Sequence, residues 1–584
     1  MTIPSRVRAV LAVLVLTVVG VTGCVQVPTA GPIEKVSGQS ETCQNCINVE
    51  VAPPAPGDEP PQVVEGYLRA MSNYQPNYAT ARQFLTVAAA GTWRPEAGVG
   101  IYRGSASVDQ NRVRLVGQLV GNVGPDRTYA AADKKLDWDF GLVRENGEWR
   151  ISRPPNGLMV AQFAFDRFYT GYSTFFIGNG TSLVPERIYL PALRNPANVA
   201  SALMTALLDG PSAWVDPAVG SAIPMGTSLS VDSVTISNGI AEVSLNESVL
   251  ALADPQRSLM AAQIVYTLRQ IPAVKGVLIT VNQQRYRVPG ADPNSLVVAV
   301  DALSREIDPV PFVSDQLYAV RNGLVHQVTT PDGSPSLQVV SGPLGRRDRF
   351  PVDSLAVSVN GTDLAVVTDG RRTLRRATTA TGEVTTLDTG LTSLLRPQFT
   401  RYGEIWAIGR KDGKQRFWLS SPGLPTTVTA PVLNDGEITA FRISPDGTRI
   451  ALVRQTAAGA ELGLARIIRA EKVVVDAWRP IDLRQSESAQ VTRIADVAWV
   501  DANDLLVLGA PSQDAALVAV RVAADASQVS VEGGDPTEWN ARELTVLSRP
   551  QSFIVVGQGN QTWRKNGGPW VPYLSDVTTV AYAG

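Results

Sequence analysis

His326 is the only histidine in 584 residues. A Ser-His-Asp triad, a Cys-His pair or a multi-histidine metal site would therefore have to be built around that one side chain. It lies in Gly323-Leu324-Val325-His326-Gln327-Val328, which alternates like a strand and has no Ser or Cys motif beside it. Two of the three cysteines, Cys43 and Cys46, are spaced C-x-x-C. A redox dithiol needs that spacing at a helix N-terminus beside a strand, whereas Ser37-Gly38-Gln39-Ser40 just ahead is polar and without period. A four-sulfur zinc site would need a second pair. The reading is a local disulfide between Cys43 and Cys46, suited to an oxidising compartment. Asp446 stands out among the carboxylates, but it sits in Ser444-Pro445-Asp446-Gly447-Thr448, where Pro-Asp-Gly is turn chemistry. No catalytic residue, metal ligand or cofactor is assigned, and no enzyme activity is expected.

Cys24 is the position with a chemical role. Arg6 and Arg8 precede an apolar run over residues 9–19, and Val21-Thr22-Gly23 leads into the cysteine. A basic start, a short apolar stretch and small residues before a processing point make an export signal. Eleven apolar residues fall short of the roughly 20 that span a bilayer. With cysteine at the junction, the segment is similar to a bacterial lipobox, whose thiol takes a diacylglyceryl group and whose freed amine is acylated, typically with palmitate. Residues 1–23 are then the signal peptide and Cys24 the first residue of a lipid-anchored, extracytoplasmic protein. Two or three acyl chains hold a protein stably where one does not.

The elements downstream must be positioned by that anchor. The formal net charge is −2, from 52 basic and 54 acidic residues, with no run of like charge able to track a nucleic acid. Length and a 44% hydrophobic content call for several cores. Residues 24–61 read as a tether, punctuated by Pro28, Pro32, Pro53, Pro54, Pro56, Pro60 and Pro61. At about 3.1 Å per residue it reaches roughly 100 Å.

Across residues 62–160, Val63, Val64, Tyr67, Leu68 and Met71 make one face of a helix, and residues 79–85 suit a second. Strand alternation follows at residues 112–120, 128–131 and 136–143, and Asn146-Gly147 predicts a hairpin into Trp149-Arg150-Ile151. Trp138 and Trp149 are expected in the core. In residues 165–305, a helix over 197–208 stops at Asp209-Gly210-Pro211, Ser237-Asn238-Gly239 joins two strands, and a helix over 256–270 precedes an apolar strand at 277–281. Residues 310–584 hold a loose repeat, seen from Leu355, Pro397, Phe441 and Val497, of strand, Asn/Asp/Gly turn and strand. Turn spacings of about 41, 43 and 56 residues suit four-stranded propeller blades. The segments from Leu317 and at the C-terminus are expected to share one blade. A β-sandwich or barrel pair is the competing fold.

The fold class expected is thus two α+β domains followed by an all-β propeller of six or seven blades. The helices and meander ending in Asn146-Gly147-Glu148-Trp149 resemble an NTF2-like cone. The ordered segments containing Ile223-Pro224-Met225-Gly226-Thr227, Ile236-Ser237-Asn238-Gly239 and the helix-to-strand run ending at Val281 resemble a GerMN domain, and Ser444-Pro445-Asp446-Gly447 resembles the blades of TolB-like propellers. In this order, behind the lipobox, they resemble the LpqB family of actinobacterial lipoproteins. The resemblance implies an accessory protein that binds the extracytoplasmic part of the MtrB sensor histidine kinase and modulates MtrB-MtrA signalling, affecting envelope and division. It carries over no functional residue beyond Cys24. The alternatives are a glycan- or small-ligand-binding protein and a propeller glycosidase, which would need a positioned carboxylate pair.

Overall fold

In the first region of the chain, Gln62 Oε1 accepts from the Glu59 amide at 2.8 Å and closes a capping box ahead of the helix Pro60–Ser72. Val63, Val64, Tyr67, Ala70 and Met71 recur at helical spacing and are buried. That stripe packs on a curved sheet in the order Tyr129–Asp139, Arg112–Val123, Val99–Asp109, Leu158–Ala161, the last strand parallel to its neighbour. The computed structural model describes residues 51–109, 112–180, 182–302, 307–330, 333–420, 428–483, 490–533 and 541–584. Cys24, Cys43 and Cys46 lie outside the described residues.

Asn146 and Gly147 take φ of 53° and 85°, the left-handed pair that a two-residue hairpin requires. They join Leu142–Glu145 to Glu148–Ile151. Residues 136–143 do not form the single strand expected. The main sheet ends at Asp139, Gly141 turns with φ 60°, and the hairpin is a separate two-stranded sheet. The expectation for Trp138 is also corrected: its side chain stands on the outer face, 37% exposed, with Nε1 donating to the Arg153 carbonyl. Trp149 packs against the core.

The second region pairs Tyr169–Ile177 with Leu183–Pro191 and then raises the helix Pro196–Asp209, capped by Asn195, whose side chain accepts from the Ala197 amide. Gly210 ends it with φ 91°. The strand Ile240–Leu245 leads through the helix Asp254–Leu268 to Gly276–Val281, which pairs parallel to it. Gln263 is fully buried in that helix. Its amide donates to Phe175 O at 2.8 Å and its carbonyl accepts from the Ala222 amide at 2.7 Å, so a polar residue holds the helix to the long hairpin.

Six sheets follow among the described residues, each a blade. Every repeat read in the sequence is an innermost strand, a turn and the second strand of a blade: Val352–Val357 with Asp363–Thr368, Gln398–Phe399 with Ile405–Lys411, Glu437–Ile443 with Arg449–Thr456, and Arg493–Trp499 with Asp504–Ala510. The ring closes as the sequence predicts. The C-terminal strand Thr579–Tyr582 pairs antiparallel with Leu317–Arg321, Leu317 opposite Tyr582, and forms the inner strand of the first blade. Closure supplies the first blade's inner strand and leaves only the short outer edges of the blades.

Residues 51–584 form one compact unit. Among the described residues, no helix is long and apolar enough to cross a membrane.

Candidate functional site

The Pro445-Asp446-Gly447 turn joins the strands Glu437–Ile443 and Arg449–Thr456. The carboxylate is fully buried; Oδ1 accepts from Ser444 Oγ at 2.8 Å and from the Thr448 amide at 2.9 Å, while Arg449 Nη2 donates to Oδ2 at 2.5 Å. Burial alone would push its pKa up; Arg449 and the Thr448 donors outweigh it and hold the carboxyl below its usual range. Arg449 also donates to the Ala502 carbonyl and lies over the Trp499 ring, tying the fourth blade to the fifth. The structural role expected of Asp446 is the one observed.

The third blade has Glu404 near the corresponding turn. It is buried, and Arg469 grips it with two bonds, Nε to Oε1 at 3.0 Å and Nη2 to Oε2 at 2.8 Å. Trp406 Nε1 and Thr400 Oγ1 complete its shell. Burial raises this carboxyl, but the Arg469 fork prevails and its pKa is lowered. Deeper still, Arg396 donates to Glu543 Oε1 at 2.7 Å and reaches Asp496 Oδ2 at 3.3 Å, and the Leu544 amide donates to the same Asp496 oxygen. Burial dominates at Asp496 and its pKa is raised despite Arg396. These carboxylates sit beside cations that neutralise them, an arrangement that joins blades. Sequence spacing concealed the pairs, whose members lie 65, 100 and 147 positions apart.

Two concave surfaces adjoin the inner strands and the second region. One opens at the propeller axis, encloses about 690 Å³ out to its mouth, and is lined by Phe399, Thr400, Arg442, Trp499, Thr545 and the C-terminal Gly584, among others. The connector from the second region crosses it at Val310 and Val313, and Arg401 Nη1 holds that connector by the Asp308 carbonyl at 2.7 Å. The other, about 460 Å³, is the junction of all three regions, where Tyr129, Arg187, Trp214, Arg479 and Asp525 meet.

The junction is tightly knit. Arg187 pairs with Asp504 at 3.2 Å, the Tyr189 hydroxyl donates to Asp525 Oδ2 at 3.1 Å, and Trp214 Nε1 donates to the Ala477 carbonyl at 2.9 Å. Tyr189 also belongs to the first region's core, 5.3 Å from the Phe165 ring centre, and its amide donates to Arg127 O. One tyrosine thereby touches all three regions. His326 is a strand residue, 8% exposed, with Nδ1 3.1 Å from the Leu324 carbonyl; burial lowers its pKa. Among the described residues no cluster of His, Cys, Asp and Glu is arranged to hold a metal ion.

Three family descriptions match in chain order: lipoprotein LpqB, N-terminal domain, at residues 53–166; sporulation and spore germination, at 173–287; and lipoprotein LpqB beta-propeller domain, at 323–579. Lipoprotein LpqB of Cutibacterium acnes is 29% identical over 99% of both chains, and that of Thermobifida fusca 27% over 96% of both. The solved structure of TolB from Acinetobacter baumannii is similar at 12% identity and a TM-score of 0.35, covering 60% of this chain and 88% of that one. Fold and junction together define a multidomain propeller protein with two α+β modules packed on its blades. Its two LpqB-specific segments lie at either end of the described chain, with relatives aligned from end to end. The chain belongs to the LpqB lipoprotein family.

Proposed function

We propose that this protein is an extracytoplasmic lipoprotein, acylated at Cys24 and held to the membrane by that lipid, that binds the sensor region of the MtrB histidine kinase and modulates MtrB-MtrA signalling. The observation that carries the binding role is the junction: Arg187, Tyr189 and Trp214 fasten the second region to the blades, so the three regions present one continuous surface. Such a surface meets a partner without first ordering its domains, which lowers the entropic cost of association. A tether ahead of residue 51 keeps it near membrane-embedded partners, where a millimolar effective concentration makes weak contacts sufficient; it is shorter than the 24–61 expected, because Val51 is buried in the first core and a helix begins at Pro60. The buried carboxylates of the blades act as struts within this reading, and the disulfide assigned to Cys43 and Cys46 belongs to the tether. Family membership supports the lipoprotein assignment.

Cross-linking in intact cells, mapped by peptide, tests the proposal. Links from blade or second-region residues to the kinase's extracytoplasmic part are expected; a set confined to other envelope proteins would overturn it. A second reading, binding of a glycan or small ligand, rests on the axial cavity, whose wall combines Trp499 and Phe399 with Thr400, Thr545 and Arg442.

A further inference from the structure

The second region packs on one end of the propeller. Tyr402, Thr448 and Asn503, which meet Ser182, Gly178 and Ser173, all stand on turns between an innermost strand and the next. At the opposite end, Val352 pairs with Thr368, so the segment leading into the second blade lies beside the turn that follows Thr368. The Val352 amide donates to Gly323 O, which brings the Asn322-Gly323 turn of the first blade to the same place. The sequence puts Arg346, Arg347 and Arg349 on the first of these segments and Arg371 and Arg372 on the second, all exposed.

Acidic neighbours offset them only in part, and the patch keeps a net positive charge. Asp348 is shared between Arg346 at 3.6 Å and Arg349 at 3.7 Å, beyond hydrogen-bond distance, with all three side chains more than half exposed. Asp353 spends an oxygen on the Arg371 amide, Asp388 on the amides of Gly390 and Leu391, and Asp369 pairs with Arg375. Asp576 pairs with Arg321. Arg347 and Arg372 have no ion-pair partner among the described residues, and Arg346 and Arg347 line an open cleft with Asn322, Gly323 and Pro351. The nearby aromatic, Phe350, is covered by the Arg375 guanidinium 4.0 Å from its ring centre.

We infer that this end of the propeller is a docking surface for a linear polyanion, a polymer bearing repeated phosphate or carboxylate groups. Guanidinium forks match both anions. Folded-protein interfaces are rich in aromatic anchors, and the aromatic of this patch, Phe350, is covered.

The test uses the purified full chain with inorganic polyphosphate, polygalacturonate and phosphatidylglycerol vesicles as probes, titrated over a range of salt. Both polymers are expected to bind with affinity that falls as salt rises, because binding releases counterions. In R346Q/R347Q/R372Q, polymer affinity at low salt should drop about tenfold or more and the log-log salt slope should shrink by about two to three. R94Q, in the first region and far along the sequence, should leave both unchanged. Equal binding and slope in the triple variant would overturn the inference. So would tighter binding to the vesicles than to either polymer at equal anionic-group concentration, since that would make the membrane the occupant.

Discussion

Arg187 Nη1 lies 3.2 Å from Oδ1 of Asp504, 317 positions further along the chain, and both side chains are about four-fifths buried. A pair so withdrawn from water fastens two regions only while both members are present; removing one leaves the other charge uncompensated. Asp504 feels this balance directly: burial and Asp501 push its pKa up, and Arg187 and Arg521 pull it down. With Trp214 bonded to Ala477, the same contact area combines apolar and polar attachment.

W214A together with D504A should therefore uncouple the second region from the propeller. Loss of a half-buried indole and its hydrogen bond costs about 2 kcal/mol, and the orphaned Arg187 adds to it. Scanning calorimetry should resolve two transitions in the double variant where the unaltered chain gives overlapping ones, and proteolysis should begin to cut in the connector around residues 307–316. An unchanged thermogram would mean that the junction contributes nothing to coupling.

Glu404 and Arg469 make a prediction in pH. The Glu404 pKa is lowered on folding from an ordinary 4.5, so in that range the unfolded chain binds the extra proton and folded stability increases with pH. The contribution is fully present above about 4.5 and is lost as pH falls through the lower folded value. E404Q should cost about 3–5 kcal/mol at pH 7, because it leaves the Arg469 charge buried without its carboxylate. The gap between the two proteins should narrow as the pH drops below 4.5, measured by urea unfolding. A gap independent of pH would show that the charge on Glu404 is not what holds the blade.

The closure of the ring places the last strand under heavy demand. Val580 is fully buried between Leu317–Arg321 and the neighbouring inner strands. V580D should cost at least about 3 kcal/mol, and deletion of residues 579–584 should leave the first blade without its inner strand. Both should expose the propeller to protease, while the first region, whose core lies in residues 51–189, stays resistant. A protease-resistant propeller in the deletion would contradict this closure.

For the anchor, C24A should abolish incorporation of labelled palmitate and release the chain or leave its signal uncleaved. Labelling at the full level would place the lipid elsewhere.

Much of this architecture was legible because backbone constraints mark it locally. Asn146-Gly147 and Asn238-Gly239 each supply two residues that tolerate positive φ, and each is a hairpin in the structure. The repeat beginning at Leu355 was legible because each copy carries the same inner-strand turn. What escaped depends on contacts distant in sequence. Alternation says that Trp138 lies on one face of a strand but not which face is covered, and here it is the exposed one. The break at Gly141 and the Arg396 bonds to Glu543 and Asp496 leave no local pattern to read.

The function proposed is binding of the kinase's sensor region by the assembled protein. Isothermal titration of that purified region against the full chain, beside a panel of wall fragments, tests it most directly. Saturable binding to the kinase region, weakened when W214A/D504A uncouples the domains, is the result expected. No heat with the kinase region, together with a saturable signal from a wall fragment, would contradict it.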